Sequence, residues 1–89
     1  MAKLYRVVGE DMEIAPYQRT TLMKASNDVF VLDDRENKKI WIWIGKKAST
    51  RQKFNAARLA EKLDKEAGGL PTITTIVEAE EPQEFLDMF

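Results

Sequence analysis

The sequence contains no cysteine and no histidine. The first absence excludes a disulfide framework, a thiolate metal site and a cysteine nucleophile, so stability has to come from packing. The second leaves Ser26 and Ser49 without an imidazole to activate them, which excludes hydrolytic triads. Carboxylate neighbours such as Asp33-Asp34 and Glu80-Glu81 point apart on a strand or loop and read as solvated turn charges. The chain is therefore not expected to be an enzyme. Long apolar runs are missing too. Met1-Ala2-Lys3-Leu4-Tyr5-Arg6 lacks the apolar stretch of a signal peptide, and no segment is long enough to span a bilayer, so a cytoplasmic protein is expected. Nor is one sign of charge in excess. Fourteen Lys plus Arg against fifteen Asp plus Glu give a formal net charge of -1, which argues for neither nucleic acid nor a membrane as partner.

What is present is an ordinary globular composition, 44% hydrophobic and 33% charged, in 89 residues. That length holds one core, so residues 1–89 are expected to form one domain. The charges are unevenly placed. Lys46, Lys47, Arg51, Lys53, Arg58, Lys62 and Lys65 crowd the middle of the chain, whereas every charged side chain after Glu66 is acidic: Glu78, Glu80, Glu81, Glu84 and Asp87.

Leu4-Tyr5-Arg6-Val7-Val8 has strand composition and closes on the turn residues Gly9-Glu10-Asp11. From Met12 to Lys24, Pro16 and the Arg19-Thr20-Thr21 cluster interrupt any period, and the stretch reads as a loop leading to a short extended piece around Leu22. Val29-Phe30-Val31-Leu32 and Ile40-Trp41-Ile42-Trp43-Ile44 flank a polar turn and form a hairpin. Because both runs are apolar at successive positions, each is expected to lie centrally in a sheet covered on both faces. From Ser49 the period changes: Ala56, Leu59, Ala60, Leu63 and Ala67 form one helical stripe. Ser49 with Gln52 has capping-box spacing, and Gly68-Gly69 followed by Pro71 is a stop signal. Thr72-Ile73-Thr74-Thr75-Ile76-Val77 reads as another strand, and Glu81 to Phe89 as a short helix with Pro82 near its first turn.

The long helix carries the useful clue. With Ala56, Leu59, Ala60 and Leu63 on the sheet, a turn of about 100° per residue puts Phe54 opposite them, with Arg58, Glu61, Lys62 and Lys65. Two readings of Phe54 stand: it folds back toward Trp43, or it is an apolar anchor rimmed by charge, the composition of a binding hot spot. Gly45-Lys46-Lys47-Ala48-Ser49 lacks the glycine spacing of a phosphate loop and reads as a strand-to-helix turn with exposed lysines. Lys46, Lys47, Arg51 and Lys53 nevertheless form a basic cluster suited to an anionic lipid headgroup, since such residues gain about 1 kcal/mol each near an acidic membrane.

Ser26-Asn27-Asp28-Val29-Phe30-Val31-Leu32-Asp33, then Ile40-Trp41-Ile42-Trp43-Ile44-Gly45-Lys46-Lys47-Ala48-Ser49 and a long helix with Ala56-Ala57, resembles the gelsolin/villin repeat. Leu4-Tyr5-Arg6-Val7 at the start, and Glu81-Pro82 with Phe85 and Phe89 at the end, extend the resemblance over essentially the whole chain. It implies an α/β (α+β-like) fold: a central mixed sheet of about five strands between one long helix and one short C-terminal helix. It implies actin as partner, met by the helix face of Phe54, Arg58, Glu61, Lys62 and Lys65. A single repeat has one such face, so monomer sequestration or weak capping is expected before severing. The chain is expected to be a monomer or a weak homodimer. A scaffold or phosphoinositide-binding repeat without actin activity is the alternative.

The resemblance also implies calcium. One family site uses the Asn-Asp pair, here Asn27 and Asp28, with a glutamate in the first turn of the long helix. Gln52 stands at that position and weakens the site by one negative charge. A second site, shared with actin, uses an acidic residue late in the helix and carbonyls of the following loop; Asp64 and Gly69-Leu70-Pro71 match it.

Overall fold

The computed structural model describes residues 2–89; Met1, part of the expected 1–89 unit, lies outside the described residues. The elements run β1 (Lys3–Val8), β2 (Asp11–Ile14), α1 (Arg19–Met23), β3 (Val29–Asp34), β4 (Lys39–Ile44), α2 (Thr50–Glu66), β5 (Thr72–Val77) and α3 (Gln83–Leu86), with a 3-10 turn at Arg35–Asn37. The strands form one mixed sheet in the order β2-β1-β3-β4-β5. β1 pairs antiparallel with β2 and β3, β3 antiparallel with β4, and β4 parallel with β5. The parallel pair follows from its connection, since a strand returned through a helix comes back in the same direction.

The two continuous apolar runs are the middle of this sheet. Every residue of β3 is buried, and its odd and even positions feed two different cores. Val29, Val31, Ile40 and Ile42 join Val7, Ala56, Ala60 and Leu63 beneath α2. Phe30, Leu32, Trp41 and Trp43 join Leu4, Leu22, Ile76 and Phe85 on the other face, where α1 and α3 lie. Burying each such side chain is worth roughly 1.5–3 kcal/mol. The rings are ordered by edge contacts: Phe30 on Trp43 at 5.7 Å and Trp41 on Phe85 at 5.5 Å between centroids.

Three segments differ from the sequence expectation. The stretch around Leu22 is helical and not extended: α1 is a single short helix held by the buried Leu22 and by Arg19 Nη2 donating to Leu86 O at 2.8 Å. Asp11–Ile14 is an edge strand in place of loop, paired to β1 and tied to it by the Arg6–Glu13 ion pair. The short C-terminal helix is shorter than its expected span, with Pro82 at its N-cap.

Gly45 marks the closest main-chain approach. A Cβ there would stand 2.3 Å from Ser26 O, so the β4–α2 turn passes over the Ser26–Asp28 segment only because residue 45 has no side chain. That passage is sealed by Gly45 N–H donating to Asp28 O and Lys47 N–H to Ser26 O.

Candidate functional site

Both ends of α2 are fixed locally. Ser49 Oγ accepts from Gln52 N–H at 3.1 Å while Gln52 Oε1 accepts from Ser49 N–H at 2.8 Å, the reciprocal pair of a capping box. At the other end Gly68 and Gly69 adopt φ of 81° and 74°, a left-handed exit that suits glycine. Between them Ala56, Ala60 and Leu63 are buried and Leu59 is half-buried, so the apolar stripe faces the sheet. Asn55 is buried as well, donating from Nδ2 to Gly9 O at 2.8 Å and pinning the β1–β2 turn to the helix.

The outward face carries the residues singled out from the helical period. Phe54 is 63% exposed, and Arg58, Glu61, Lys62 and Lys65 are all exposed. At spacings of four, seven, eight and eleven from Phe54 they form one stripe along the helix. The structure brings them together on one face, and of the two readings of Phe54 it gives the solvent-facing one. Arg58 and Lys62 also line a cleft with Glu10, Asp11, Asn55 and Leu59, so the turn after β1 supplies an acidic border to the basic stripe. That border was not foreseen, because only the folded hairpin brings residues 10 and 11 beside the helix.

The basic cluster is arranged differently. Lys46, Lys47, Arg51 and Lys53 are exposed at the entry to α2, where the main-chain N–H of Lys46 is already bonded to a carboxylate. Glu78 Oε1 accepts from Lys46 N–H at 2.9 Å and Glu78 Oε2 from Ser26 Oγ–H at 2.8 Å. These bonds to Lys46 and Ser26 hold the Glu78 carboxyl below the ordinary glutamate value, and burial opposes them only in part. Glu81 is occupied as well, accepting from Trp43 Nε1 at 2.8 Å. Neither glutamate's bonds were foreseen from sequence, since each joins residues far apart in the chain that only the fold brings together.

The residues named for calcium fall in two places. Asp28 lines a cleft with Arg6, Lys24 and Phe30 and helps hold the Arg6 guanidinium charged, after the larger effect of Glu13. Asn27 is exposed beside it, while Gln52 sits in the first turn of α2 with its amide oxygen engaged by Ser49. Asp64, half-buried on α2, has Oδ1 buried with no hydrogen-bond partner. Its carbonyl accepts from Gly69 N–H at 2.8 Å, which folds the following loop back toward it. Among the described residues no three Asp, Glu, His or Cys side chains converge as a metal site, and no helix is long and apolar enough to cross a membrane.

The family model for the gelsolin repeat matches residues 25–86. Among solved structures, a chain of the Thorarchaeota ProGel/rabbit actin complex superposes with a TM-score of 0.88 at 27% identity, covering 99% of this chain and 98% of that one. A chain of the Thorarchaeota 2DGel3/rabbit actin complex superposes with a TM-score of 0.83 at 35% identity, covering 99% of this chain and 45% of that one. No curated protein sequence matches the chain.

Proposed function

The chain belongs to the gelsolin-repeat family, and from that premise we propose that it binds actin through the outward face of α2. The observation that carries this reading is Phe54, a large apolar side chain left 63% exposed on an otherwise charged helix face. Isolated exposed apolar residues are common, but an aromatic at the head of a charged stripe of Arg58, Glu61, Lys62 and Lys65 has the make-up of an interface anchor. The two solved structures named above are of complexes with rabbit actin. The activity in this reading is monomer sequestration or weak capping, in the cytoplasm.

Calcium enters this proposal at Asp64. Its unpartnered Oδ1 is a carboxylate oxygen with a free ligand position, and hard cations of this kind take oxygen donors from carboxylates and carbonyls. The ion would be completed by carbonyls of the Gly69-Leu70-Pro71 loop and by actin. The Asn27, Asp28 and Gln52 set fits less well, because its one carboxylate borders Arg6 and Lys24 and its amide oxygen is held in the helix cap. A phosphoinositide role for Lys46, Lys47, Arg51 and Lys53 gains no support from an entry turn whose Lys46 N–H is already bonded to Glu78.

Pyrene-actin polymerisation, followed with calcium and with chelator at matched concentrations of the protein, tests the proposal. Slowing in calcium that weakens in chelator is the expected result. Equal slowing in both keeps actin and removes calcium; no slowing in either, with no co-sedimentation, contradicts the actin reading.

A further inference from the structure

The two edges of the sheet are unlike. β2 carries Asp11 and Glu13 among its four residues, with Glu13 ion-paired to Arg6, and charge of this kind keeps a strand edge from pairing with another chain. Among the described residues β5 pairs with β4 alone. Its six residues, Thr72-Ile73-Thr74-Thr75-Ile76-Val77, are all β-branched and include no charge, proline or glycine. The edge with the strongest strand propensity is the one without protection.

The main-chain groups it offers can be assigned. Thr72 N–H donates to Lys38 O at 2.9 Å and Glu78 N–H to Ile44 O at 2.8 Å, so the even-numbered residues turn their N–H and C=O groups toward β4. Successive residues of a strand alternate in this respect. The groups of Ile73, Thr75 and Val77 therefore leave toward the open edge.

We propose that β5 pairs antiparallel with β5 of a second copy about a two-fold axis at Thr75, joining two sheets into one. In this register Thr75 lies opposite Thr75, and Ile73 opposite Val77, as hydrogen-bonded pairs; Thr74 lies opposite Ile76 between them. An axis at Thr74 would instead set Ile73 opposite Thr75 and Val77 opposite Pro71, which has no N–H to give, so the ladder would lose bonds at both ends. The register also matches side chains. Ile73 is packed against the core beneath α2, and Val77, on the same face by alternation, is 36% exposed and gains an aliphatic partner. No like charges meet along the ladder. The acidic end after Val77, with Glu78 and Glu80, comes beside the Thr72 end of the other copy, where Lys38 is exposed; a parallel pairing would set the two acidic ends together. Such a contact is isologous, as two-fold interfaces are. A six-residue ladder is small beside the roughly 1,200–2,000 Å² of a stable interface, so the dimer is weak. It leaves the outward face of α2 free in both copies and stands whether or not that face binds actin.

Sedimentation equilibrium of the whole chain over a concentration series, with amide exchange by NMR on the same samples, tests this. The average mass should rise from 10.3 kDa toward twice that value. The amides of Thr75 and Val77 should pass from fast to protected exchange as it does, with Thr74 and Ile76 slow throughout. Thr75→Lys, which opposes like charges at the axis, should raise the dissociation constant at least tenfold without changing the circular dichroism; Thr75→Val should keep the dimer. A mass that stays at the monomer value up to millimolar concentration overturns the proposal. So does a dimer indifferent to Thr75→Lys, or protection only when an extended peptide from another protein is added.

Discussion

Phe54 and Ala56 stand two residues apart in the same helix and meet opposite surroundings: Phe54 is 63% exposed, while Ala56 is fully buried against the sheet. A step of two residues turns a helix by about 200°, so one short segment serves packing and presentation at once. This division of faces decides which side chains of α2 can meet a partner.

Leu63→Asp tests the buried face. Leu63 is 4% exposed among Val7, Val31 and Ile42, and an unpaired carboxylate there should cost on the order of 3–5 kcal/mol. Loss of the cooperative thermal transition by circular dichroism is expected. A variant that melts like the parent would mean the faces are reversed.

Gly45→Ala should destabilise the fold by about 2–4 kcal/mol, because the new Cβ meets the main chain of Ser26 and Ala25 and not a side chain that can swing away. Urea denaturation measures it. A loss under about 0.5 kcal/mol would show that the Ser26–Asp28 segment yields easily.

Glu78→Gln addresses the clamp on the β4–α2 turn. The folded protein holds this carboxyl below its ordinary value of 4.5 through Lys46 N–H and Ser26 Oγ–H. A group whose folded pKa is depressed gives stability that is complete above its unfolded pKa and is lost as pH falls through the folded one. The variant should therefore unfold at lower urea than the parent at neutral pH, with the gap closing as pH falls below the ordinary glutamate value and through the depressed folded one. A gap that is constant across this range would contradict the assignment.

Asp64→Asn should abolish any enhancement of actin binding by calcium, whereas Asp28→Asn should leave it, since among the described residues only Asp64 has an unpartnered buried side-chain oxygen. Titration of calcium into the actin complex of each variant separates the two. The reverse pattern would move the ion to the Asn27–Asp28 pair.

The central hairpin, the long helix with both its ends, and the strand after it were legible because each is written in local pattern: unbroken apolar runs from Val29 to Leu32 and from Ile40 to Ile44, a helical period from Ala56 to Leu63, and capping residues at Ser49 and Gly68-Gly69. α1 was not legible. Its five residues include two threonines and follow Pro16, and it is held by contacts with Leu86, 67 positions away from Arg19. β2 was missed for a related reason: Asp11 and Glu13 suppress strand propensity on an edge that needs only one partner. At the site, the stripe of Phe54, Arg58, Glu61, Lys62 and Lys65 could be read from the helical period alone. The roles of Glu78, Glu81 and the Glu10-Asp11 border could not, because they arise from chain crossings with no local signature.

The central claim is that actin is bound through the outward face of α2, and the affinity of Phe54→Asp for monomeric actin, set beside that of the parent protein, tests it most directly. Phe54 touches no core, so the variant should melt as the parent does while losing at least tenfold in affinity, about 1.4 kcal/mol. A folded variant that binds actin as tightly as the parent would contradict the account.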